Sequence, residues 1–372
     1  MVEILVRLPV KTIIHCKCVC REWLNLISDS HFINLHLTKS PQCIMFRSYL
    51  SSCEDPPIVK EGSLILLEIE EQHGRRRLYH DPIMSVDLFP APDFEAFIVY
   101  THGSVNGLIC LFGFEYGFDD MIYLCNPITR EYIILPPREI KGNIHNSYGF
   151  GVSSLTGEYK VIRVFEDSKL PLHLKVNAEI YTLGTGQWRR LGHVPNSFGY
   201  TGTFLNNHVH WLLDDHENPL ENICTFNIDN ETFQLFPSPP VGLEEHDGKL
   251  VVLKGCLCYA YYPGPPGTCL DFSVWVMRDY GTIKNSWQKE LVINEGIYSI
   301  IQSGFGYFGY PVGSLIDATI LMANSQEDLF VYHQDTSTIE KSEFAGAWTI
   351  SYRPSFLKLQ DFKSEIVHKF SR

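Results

Sequence analysis

The stretch that decides the fold runs from Ser147 to Gly192 and reads SYGFGVSSLTGEYKVIRVFEDSKLPLHLKVNAEIYTLGTGQWRRLG. It contains four apolar runs, which are SYGFGV, YKVIRVF, AEIYTL and WRRLG. The turn segments SSLTGE and GTGQ separate the first run from the second and the third from the fourth. Short runs rich in β-branched and aromatic residues, bounded by Gly, Ser and Thr, predict strands. The stretch therefore predicts a unit of four strands.

Similar four-run units lie before and after this stretch. The second run of successive units begins near Gly107, Glu158, Asn207 and Gly255. These starts lie about 50 residues apart, and a four-strand repeat of about 40–50 residues is typical of a β-propeller blade. The fourth run of each unit has one bulky aromatic side chain, which we expect to pack between neighbouring blades. These side chains are Tyr132, Trp188, Phe233 and Trp287.

The remaining runs predict two more blades. A fifth unit is predicted between Tyr298 and Phe344. A sixth would combine the runs CIMFRSY, SLILLEIEE and RRLYHD with TISYRPSFLKL from near the C-terminus. Such closure removes open sheet edges. The predicted fold class is mainly β, a kelch-like β-propeller of about six blades that follows a small α-helical module, with five or seven blades as alternatives.

The first forty residues have a different period. Apolar residues from Val2 to Leu37 recur at three- and four-residue steps, which predicts helices. Pro9 interrupts the pattern, and a helical period then runs from Val10 to Ile27. On such a helix Cys16 and Cys20 share a face and Cys18 does not. Because residues two apart diverge by about 200°, three thiolates cannot reach one tetrahedral zinc ion. We therefore interpret these cysteines as small apolar side chains.

Composition excludes several classes of function. The net charge is −13 and the pI is about 5.6, which argues against non-specific nucleic-acid binding and against docking on anionic membranes. No stretch of about 18 uncharged apolar residues predicts a membrane span. Eleven cysteines, an odd number, favour a reducing compartment over a disulfide framework. The predicted location is therefore the cytoplasm and/or the nucleus.

The N-terminal segment VEILVRLPVKTIIHCKCVCREWLNLISDSHFINLHL resembles the F-box of plant proteins. The downstream motifs NGLICL, LCNPITREYIILPP, TGEYKVIRV and AEIYTLGTGQWRRLG are similar to the F-box-associated, kelch-related domain of the broad group that includes S-locus F-box proteins. The resemblance implies an F-box at 1–40, a propeller at 41–360 and a C-terminal tail at 361–372. The family's F-box usually opens with an LP-x-E/D-L run, so we expect its first turn to be missing here.

The resemblance also implies a function. The F-box of this family docks onto a Skp1-type adaptor and, through it, a cullin, so the chain would be the substrate-recognition subunit of an SCF-type ubiquitin ligase. Carried over by position, the docking residues are Ile4, Leu5, Leu8, Pro9, Val10, Val19, Cys20 and Trp23. The alternative is a propeller that binds proteins without engaging the ligase. Neither function requires catalytic residues, a cofactor or a metal.

Signals for an enzyme are weak. GFGYFG at Gly304–Gly309 matches a dinucleotide fingerprint but lacks the strand and helix that the site needs. HVHWLLDDHEN could bring His208 and His210 to one face of a strand, where a metal site is conceivable, although polar strand positions explain them more simply. HGRRR at His73–Arg77 favours a charged hairpin turn. A propeller enzyme with its site in the central channel is the third hypothesis.

Long, variable connections join the second and third runs of each unit, and propeller geometry would place them on one face. Function usually lies on such loops over a rigid scaffold. The predicted substrate-binding residues are Phe114, Tyr116, Phe118, Asp119, Asp120, Asp214, Asp215 and Tyr262. Their aromatic and acidic side chains indicate a protein partner with basic and apolar features. Solvated loops without a partner are the alternative.

Overall fold

The computed structural model describes residues 1–48, 63–72, 75–81, 84–87, 98–114, 121–137, 146–166, 176–194, 198–199, 201–213, 222–240, 247–262, 271–280, 286–294, 309–315, 319–324 and 328–370. The chain forms two compact units. The first comprises Met1–Glu139 and Trp348–Arg372, and the second comprises Ile140–Ala347.

The first unit begins with short helices and continues in strands. The helices are α1 (Val2–Leu5), α2 (Val10–Cys16), α3 (Arg21–Ile27) and α4 (Ser30–Lys39). The strands are β1 (Cys43–Ser48), β2 (Ser63–Gln72), β3 (Arg75–His80), β4 (Val86–Asp87), β5 (Ile98–Val105), β6 (Leu108–Phe114), β7 (Met121–Asn126) and β8 (Glu131–Ile134). β1, β2 and β3 pair in sequence, with β4 also on β2, while β5 to β8 form a separate antiparallel sheet.

The second unit consists of consecutive antiparallel sheets. The strands of its first two sheets are β9 (Asn146–Val152), β10 (Tyr159–Glu166), β11 (Val176–Thr182), β12 (Trp188–His193), β13 (Thr203–Leu205), β14 (His208–Leu212), β15 (Ile223–Asn227) and β16 (Thr232–Phe236). Those of the next two are β17 (Asp247–Leu253), β18 (Cys256–Tyr262), β19 (Phe272–Met277), β20 (Trp287–Ile293), β21 (Tyr310–Leu315), β22 (Thr319–Ala323), β23 (Asp328–His333) and β24 (Thr338–Tyr352).

The long strand β24 belongs to two sheets. It pairs with β23 through its first part and lies next to β1, so the C-terminal run TISY supplies the strand that the first runs of the chain need. With β24 counted twice, the described strands form six sheets of about four strands each. The fold is thus mainly β, a six-bladed propeller with a short helical N-terminal region, which confirms the predicted fold class.

Repeated tight turns set the register of the blades. Asn106 and Gly107, Asn206 and Asn207, and Lys254 and Gly255 all have positive φ, from 48° to 81°. Two successive residues with positive φ form the turn whose twist matches a β-hairpin. Gly107 is also required by space, because a Cβ there would lie 2.3 Å from the Cβ of Ser355. These turns stand at three of the repeat positions that the sequence identifies.

Aromatic side chains fill the space between neighbouring sheets of the second unit. Trp211 on β14 is fully buried, and a Cβ at Gly149 on β9 would lie 2.4 Å from its ring. Phe233 packs into the same cluster, with its ring 5.9 Å from that of Phe198. Trp287 donates a 2.8 Å hydrogen bond from Nε1 to the carbonyl oxygen of Pro237, which follows the preceding sheet. Two of the four predicted aromatic residues therefore pack between blades as expected.

The other two have different neighbours. The ring of Trp188 lies 5.4 Å from that of Tyr181 in its own sheet. The ring of Tyr132 lies 4.7 Å from that of Phe370. Phe370 follows a short strand, β25 (Val367–Lys369), that pairs with β8. The segment predicted as a tail at 361–372 therefore contains a fifth strand of this sheet, and the boundaries at 40 and 360 stay predictions.

One helical prediction is wrong. The period from Val10 to Ile27 predicts one helix, but α2 ends at Cys16 and α3 begins at Arg21. Cys20 is extended, with φ −159° and ψ 167°, and precedes the first turn of α3. Cys16 is buried while Cys18 and Cys20 are exposed, so Cys16 and Cys20 do not share a face. Apolar spacing alone did not reveal this break.

Two buried polar residues fasten the C-terminal segment to the sheet of β5–β8. The Nδ2 of Asn126 donates hydrogen bonds to the carbonyl oxygens of Ser355 (3.0 Å) and Leu357 (2.6 Å). The Oε2 of Glu131 accepts a 2.8 Å hydrogen bond from the backbone N–H of Leu359. Since Asn126 and Glu131 are both buried, these bonds form away from water, where lost partners are costly.

We expect Asn126→Ala to lower the free energy of unfolding by about 1–3 kcal/mol, because it removes the donor to the buried carbonyl of Ser355 and to the half-buried carbonyl of Leu357. Asn227 is the matched control, since it ends β15 as Asn126 ends β7 and its Oδ1 accepts only from its own turn, at Asp229 and Asn230. Urea unfolding gives the stability, and hydrogen exchange of residues 353–359 locates the effect. Equal exchange of that segment in N126A and N227A would contradict the role given to Asn126.

Candidate docking surface on the N-terminal helices

The four helices are short, and their ends follow from local chemistry. Pro9 precedes α2, where its missing N–H costs no helical hydrogen bond. Asp29 caps α4 by accepting a 2.9 Å hydrogen bond at Oδ1 from the backbone N–H of His31. Isolated helices of this length are marginal in water, so their stability must come from packing.

The inner faces of the helices pack against the sheets of the first unit. Their buried side chains form one cluster with residues of β1, β2, β6 and β7 and of the segment after β24. The helical members are Leu5, Val6, Val10, Ile13, Cys16, Ile27, Phe32 and Ile33, and the members on β6, β7 and the C-terminal segment are Ile109, Leu111, Tyr123, Cys125, Tyr352, Phe356 and Phe370. The helices therefore share a hydrophobic core with the sheets.

The outer side of the same segment exposes apolar side chains. Ile4 is 68% exposed, Val19 is 64% exposed and Leu24 is 43% exposed. Of the ten large apolar side chains that are exposed in the described part of the chain, four lie between Met1 and Leu24. Four exposed large apolar side chains within 24 residues favour a binding site for another protein in this segment.

The predicted docking residues divide between these two surfaces. Leu5 and Val10 are buried in the shared core, and Leu8 and Trp23 pack half-buried against it. Ile4, Pro9, Val19 and Cys20 are exposed. Only the second group is fully available to a partner in this conformation, and the assignment of all eight to docking stays a prediction.

Sequence reasoning missed the polar and aromatic groups that join α2 and α4 to the C-terminal segment. His36 is buried, with its ring 6.1 Å from that of Phe32 and 5.1 Å from that of Phe356. The Nζ of Lys17 lies 4.3 Å from the centroid of the Phe356 ring. No pattern near His36 indicates this site, because Phe356 lies 320 positions further along the chain.

Burial shifts the pKa values of both basic groups. Desolvation, followed by the charge of Lys17, lowers the pKa of His36 to about 4. Desolvation, followed by the charge of Lys358, lowers the pKa of Lys17 to about 8. Near pH 7 the imidazole is therefore neutral and the ammonium is charged, and the Nδ1 of His36 has no hydrogen-bond partner among the described residues.

Ion pairs fix the helices at their edges. Lys11 on α2 pairs with Asp81, which is buried, and Lys39 on α4 pairs with Glu3 on α1 with 2.5 Å between Nζ and Oε2. The hydrogen bond from Lys39 lowers the pKa of Glu3 and that to Asp81 raises the pKa of Lys11. The Lys39–Glu3 pair is largely exposed and contributes little, so the apolar core and the partly buried Lys11–Asp81 pair are the main supports of the helices.

The other candidate residues give no competing site. The Nε2 of His210 lies 2.6 Å from the hydroxyl of Tyr280, and the Nδ1 of His208 lies 2.8 Å from the carbonyl oxygen of Asn206. The described part of the chain contains no group of three or more His, Cys, Asp or Glu that could hold a metal ion. At the charged hairpin, Gln72 pairs with Arg75 across the turn between β2 and β3.

Most of the predicted substrate-binding residues lie outside the described part of the chain. Tyr116, Phe118, Asp119, Asp120, Asp214 and Asp215 lie outside the described residues, as do residues 304–308 of the glycine-rich motif. Phe114 and Tyr262 are the last residues of β6 and β18, and their side chains are not described. Their role in substrate binding stays a prediction.

Comparison with known families decides the identity of the fold. Residues 85–351 match the sequence profile of the F-box associated beta propeller domain. The chain belongs to this family. Residues 1–35 match the F-box domain, so the expectation that the first turn of the F-box is missing is wrong. None of the described helices is long and apolar enough to cross a membrane.

The curated relatives agree with this family. The chain is 28% identical to F-box protein At3g07870 of Arabidopsis thaliana, covering 78% of this chain and 70% of that protein. It is 26% identical to F-box/kelch-repeat protein At3g23880 of the same plant, covering 85% of this chain and 90% of that protein. The solved structure of SapL1 lectin in complex with alpha methyl fucoside is 8% identical, with a TM-score of 0.42, over 77% of this chain and 93% of the lectin. This structural likeness carries no argument about function. Membership of the S-locus group stays a prediction.

We expect acid to destabilise the F-box through His36. The pKa of His36 is 6.5 in the unfolded chain and about 4 in the folded chain. Between these two pH values the unfolded chain binds a proton at His36 and the folded chain does not, so the free energy of unfolding falls as the pH falls. Between pH 7 and pH 5 the loss from this residue should be about 1–2 kcal/mol, and His36→Phe should remove it.

Thermal unfolding at several pH values measures the effect. Lys17 stays charged across this range and does not contribute to the difference. His31→Phe is the matched control, since it removes an exposed histidine from the same helix. If the wild type and H36F lose the same amount of stability between pH 7 and pH 5, the claim that His36 is buried in its neutral form is refuted.

Proposed function

We propose that this protein is the non-catalytic substrate-recognition subunit of an SCF-type ubiquitin ligase, acting in the cytoplasm and/or the nucleus. Its F-box would bind a Skp1-type adaptor and, through it, a cullin, while the propeller would bind the target protein. The observation that carries this proposal is the exposed apolar surface of Ile4, Val19 and Leu24 within the F-box.

Burial of this surface would supply binding energy. Removing a side chain such as Ile or Leu from water contributes about 1.5–3 kcal/mol. Burial of Ile4, Val19 and Leu24 would offset part of the cost of association, which is about 4–15 kcal/mol. The half-buried Leu8 and Trp23 are candidates for the remaining apolar contact. An apolar contact does not depend on the net charge of the chain, which is −13.

The shared core has a consequence for ubiquitin transfer. An adaptor contributes by holding a target close to the transferable ubiquitin, which raises the effective concentration of its lysines. A flexible tether between the F-box and the first sheets would let the target occupy a larger volume, which would lower this effective concentration. The apolar cluster and the pair Lys11–Asp81 hold the helices against the sheets of their own unit instead.

The target protein would bind at loops of the propeller. The loops between the second and third strands of the blades, with Phe114, Tyr262 and the acidic residues near them, remain our candidates for contacts with the target. Their composition fits a protein with basic and apolar features, and loops on a rigid scaffold commonly bind partners.

The first test is co-expression with a plant Skp1 homologue followed by gel filtration, for which we expect a stoichiometric complex. We expect Val19→Asp and Ile4→Asp each to weaken binding at least about tenfold, because each would place a charge in an apolar contact. Leu155→Asp is the matched control, since Leu155 is 82% exposed and lies in the second unit.

Isothermal titration with purified Skp1 homologue gives the dissociation constants. These exposed positions separate docking from folding better than Trp23→Asp, which would also disturb the shared core. Unchanged affinity in both V19D and I4D would refute the docking surface. Failure of the wild-type chain to form any complex would leave a propeller that binds proteins without engaging the ligase.

A further inference from the structure

A cavity of about 50 Å³ lies between the sheet of β17–β20 and the sheet of β21–β24. It is several times larger than the space that one water molecule needs. Its lining residues are Leu253, Lys254, Cys256, Cys258, Val274, Val276, Arg278, Glu290, Leu291, Ile320 and Gln334. All of them belong to the second unit.

The inner part of the cavity is apolar. Val274, Val276, Leu291 and Ile320 are buried, and they belong to the hydrophobic cluster that joins the two sheets. The Sγ of Cys258 lies 3.5 Å from the carbonyl oxygen of Cys256, so this thiol can bond to its own strand. The inner part therefore suits an aliphatic group and offers little to a polar ligand.

Two polar side chains at the rim, Lys254 and Gln334, are available to bind a ligand. Arg278 donates a 2.5 Å hydrogen bond from Nη2 to Oε1 of Glu290, so these two charges are satisfied by each other. Lys254 is exposed, and no described carboxylate lies within ion-pair distance of its ammonium group. The side-chain amide of Gln334 is half-buried and likewise makes no hydrogen bond within the described part of the chain. The lining thus has two cations and one anion.

The backbone of the rim is held in a regular hairpin. Lys254 and Gly255 form the tight turn between β17 and β18, with φ of 49° and 75°. β17 and β18 form a continuous antiparallel ladder in which Asp247 pairs with Tyr262 at one end and Leu253 pairs with Cys256 at the other. The turn therefore closes a regular hairpin. The backbone at this rim therefore needs little reordering when a ligand binds, and the flexible side chain of Lys254 extends from a fixed position.

We propose that this cavity is a recognition site for a short segment of the target protein in which an aliphatic side chain is followed by an acidic residue. The aliphatic side chain enters between Val276 and Ile320, and the carboxylate pairs with Lys254 while the amide of Gln334 bonds to the peptide backbone. The site lies at a tight turn between the first and second strands of a blade, away from the predicted binding loops. The inference rests on the proposed function for the origin of the segment.

The test uses the full chain and a defined probe, the unlabelled peptide Gly-Gly-Leu-Asp-Gly-Gly. A short ligand with a single anchor binds weakly, so it is titrated into the chain to roughly 5 mM and binding is followed by isothermal titration calorimetry. Comparison peptides replace Leu by Ser or Asp by Lys. The location of binding is read from the rate at which N-ethylmaleimide alkylates Cys256, with the exposed Cys18 as an internal reference in the same sample.

We expect the Leu-Asp peptide to bind saturably and to slow alkylation of Cys256 but not of Cys18. Lys254→Glu should weaken this peptide at least about fivefold and make the Leu-Lys peptide the better ligand, because the charge at the rim is reversed. Lys363→Glu is the control, as it makes the same change at an exposed lysine of the first unit. The Ser-Asp peptide should bind at least about fivefold more weakly, because it lacks the apolar anchor.

The proposal is overturned if the Leu-Asp peptide shows no saturable binding, if it binds no better than the Ser-Asp peptide, or if K254E and K363E behave alike. Binding without protection of Cys256 would place the peptide elsewhere and would also overturn it. These outcomes are independent of the Skp1 titration. A chain that binds Skp1 but not the peptide keeps the adaptor function and loses only this site.

Discussion

The pairing of the end of β24 with β1 is the constraint on which the rest of the structure depends. Without it β1 would present a row of unpaired backbone groups at a sheet edge, which is a site for aggregation. The pairing requires the C-terminal segment to return to the first unit and stay there. Asn126 and Glu131 hold that segment through its backbone, and the hydroxyl of Tyr352 donates a 3.1 Å hydrogen bond to the carbonyl oxygen of Gly107.

The return of the C-terminal segment also determines where the helices of the F-box pack. Phe356 and Phe370 lie in the C-terminal segment, yet both belong to the core into which the helices pack. The end of the chain, which pairs with β1 and β8, therefore contributes part of the core that holds the helices in place. Lys17, which follows α2, and His36 on α4 both contact the ring of Phe356. The positions of α2 and α4 therefore depend on a residue that follows the last blade.

The blades could be predicted from sequence because their information is local. Continuous apolar runs of five to eight residues and turns such as Asn106–Gly107 specify hairpins wherever they occur. The break between α2 and α3 could not be predicted in this way. The spacing of Cys16, Cys20 and Trp23 suits a helix, and intrinsic preferences are weak enough for tertiary contacts to override them. The contacts that hold Lys17 involve Phe356, which no local window includes.

The docking surface shows the limit of a resemblance more clearly. A family pattern names eight residues, but it does not say which of them the chain uses for its own core. Here Leu5 and Val10 pack inward, and a partner that needed them would first have to separate the helices from β6 and β7. Deleting residues 1–40 would likewise expose Ile109, Leu111 and Tyr123 on those strands. Loss of Skp1 binding in such a truncated chain would therefore not distinguish a lost docking surface from a damaged first unit, whereas single substitutions at Ile4 and Val19 change the outer surface and leave the inner one intact.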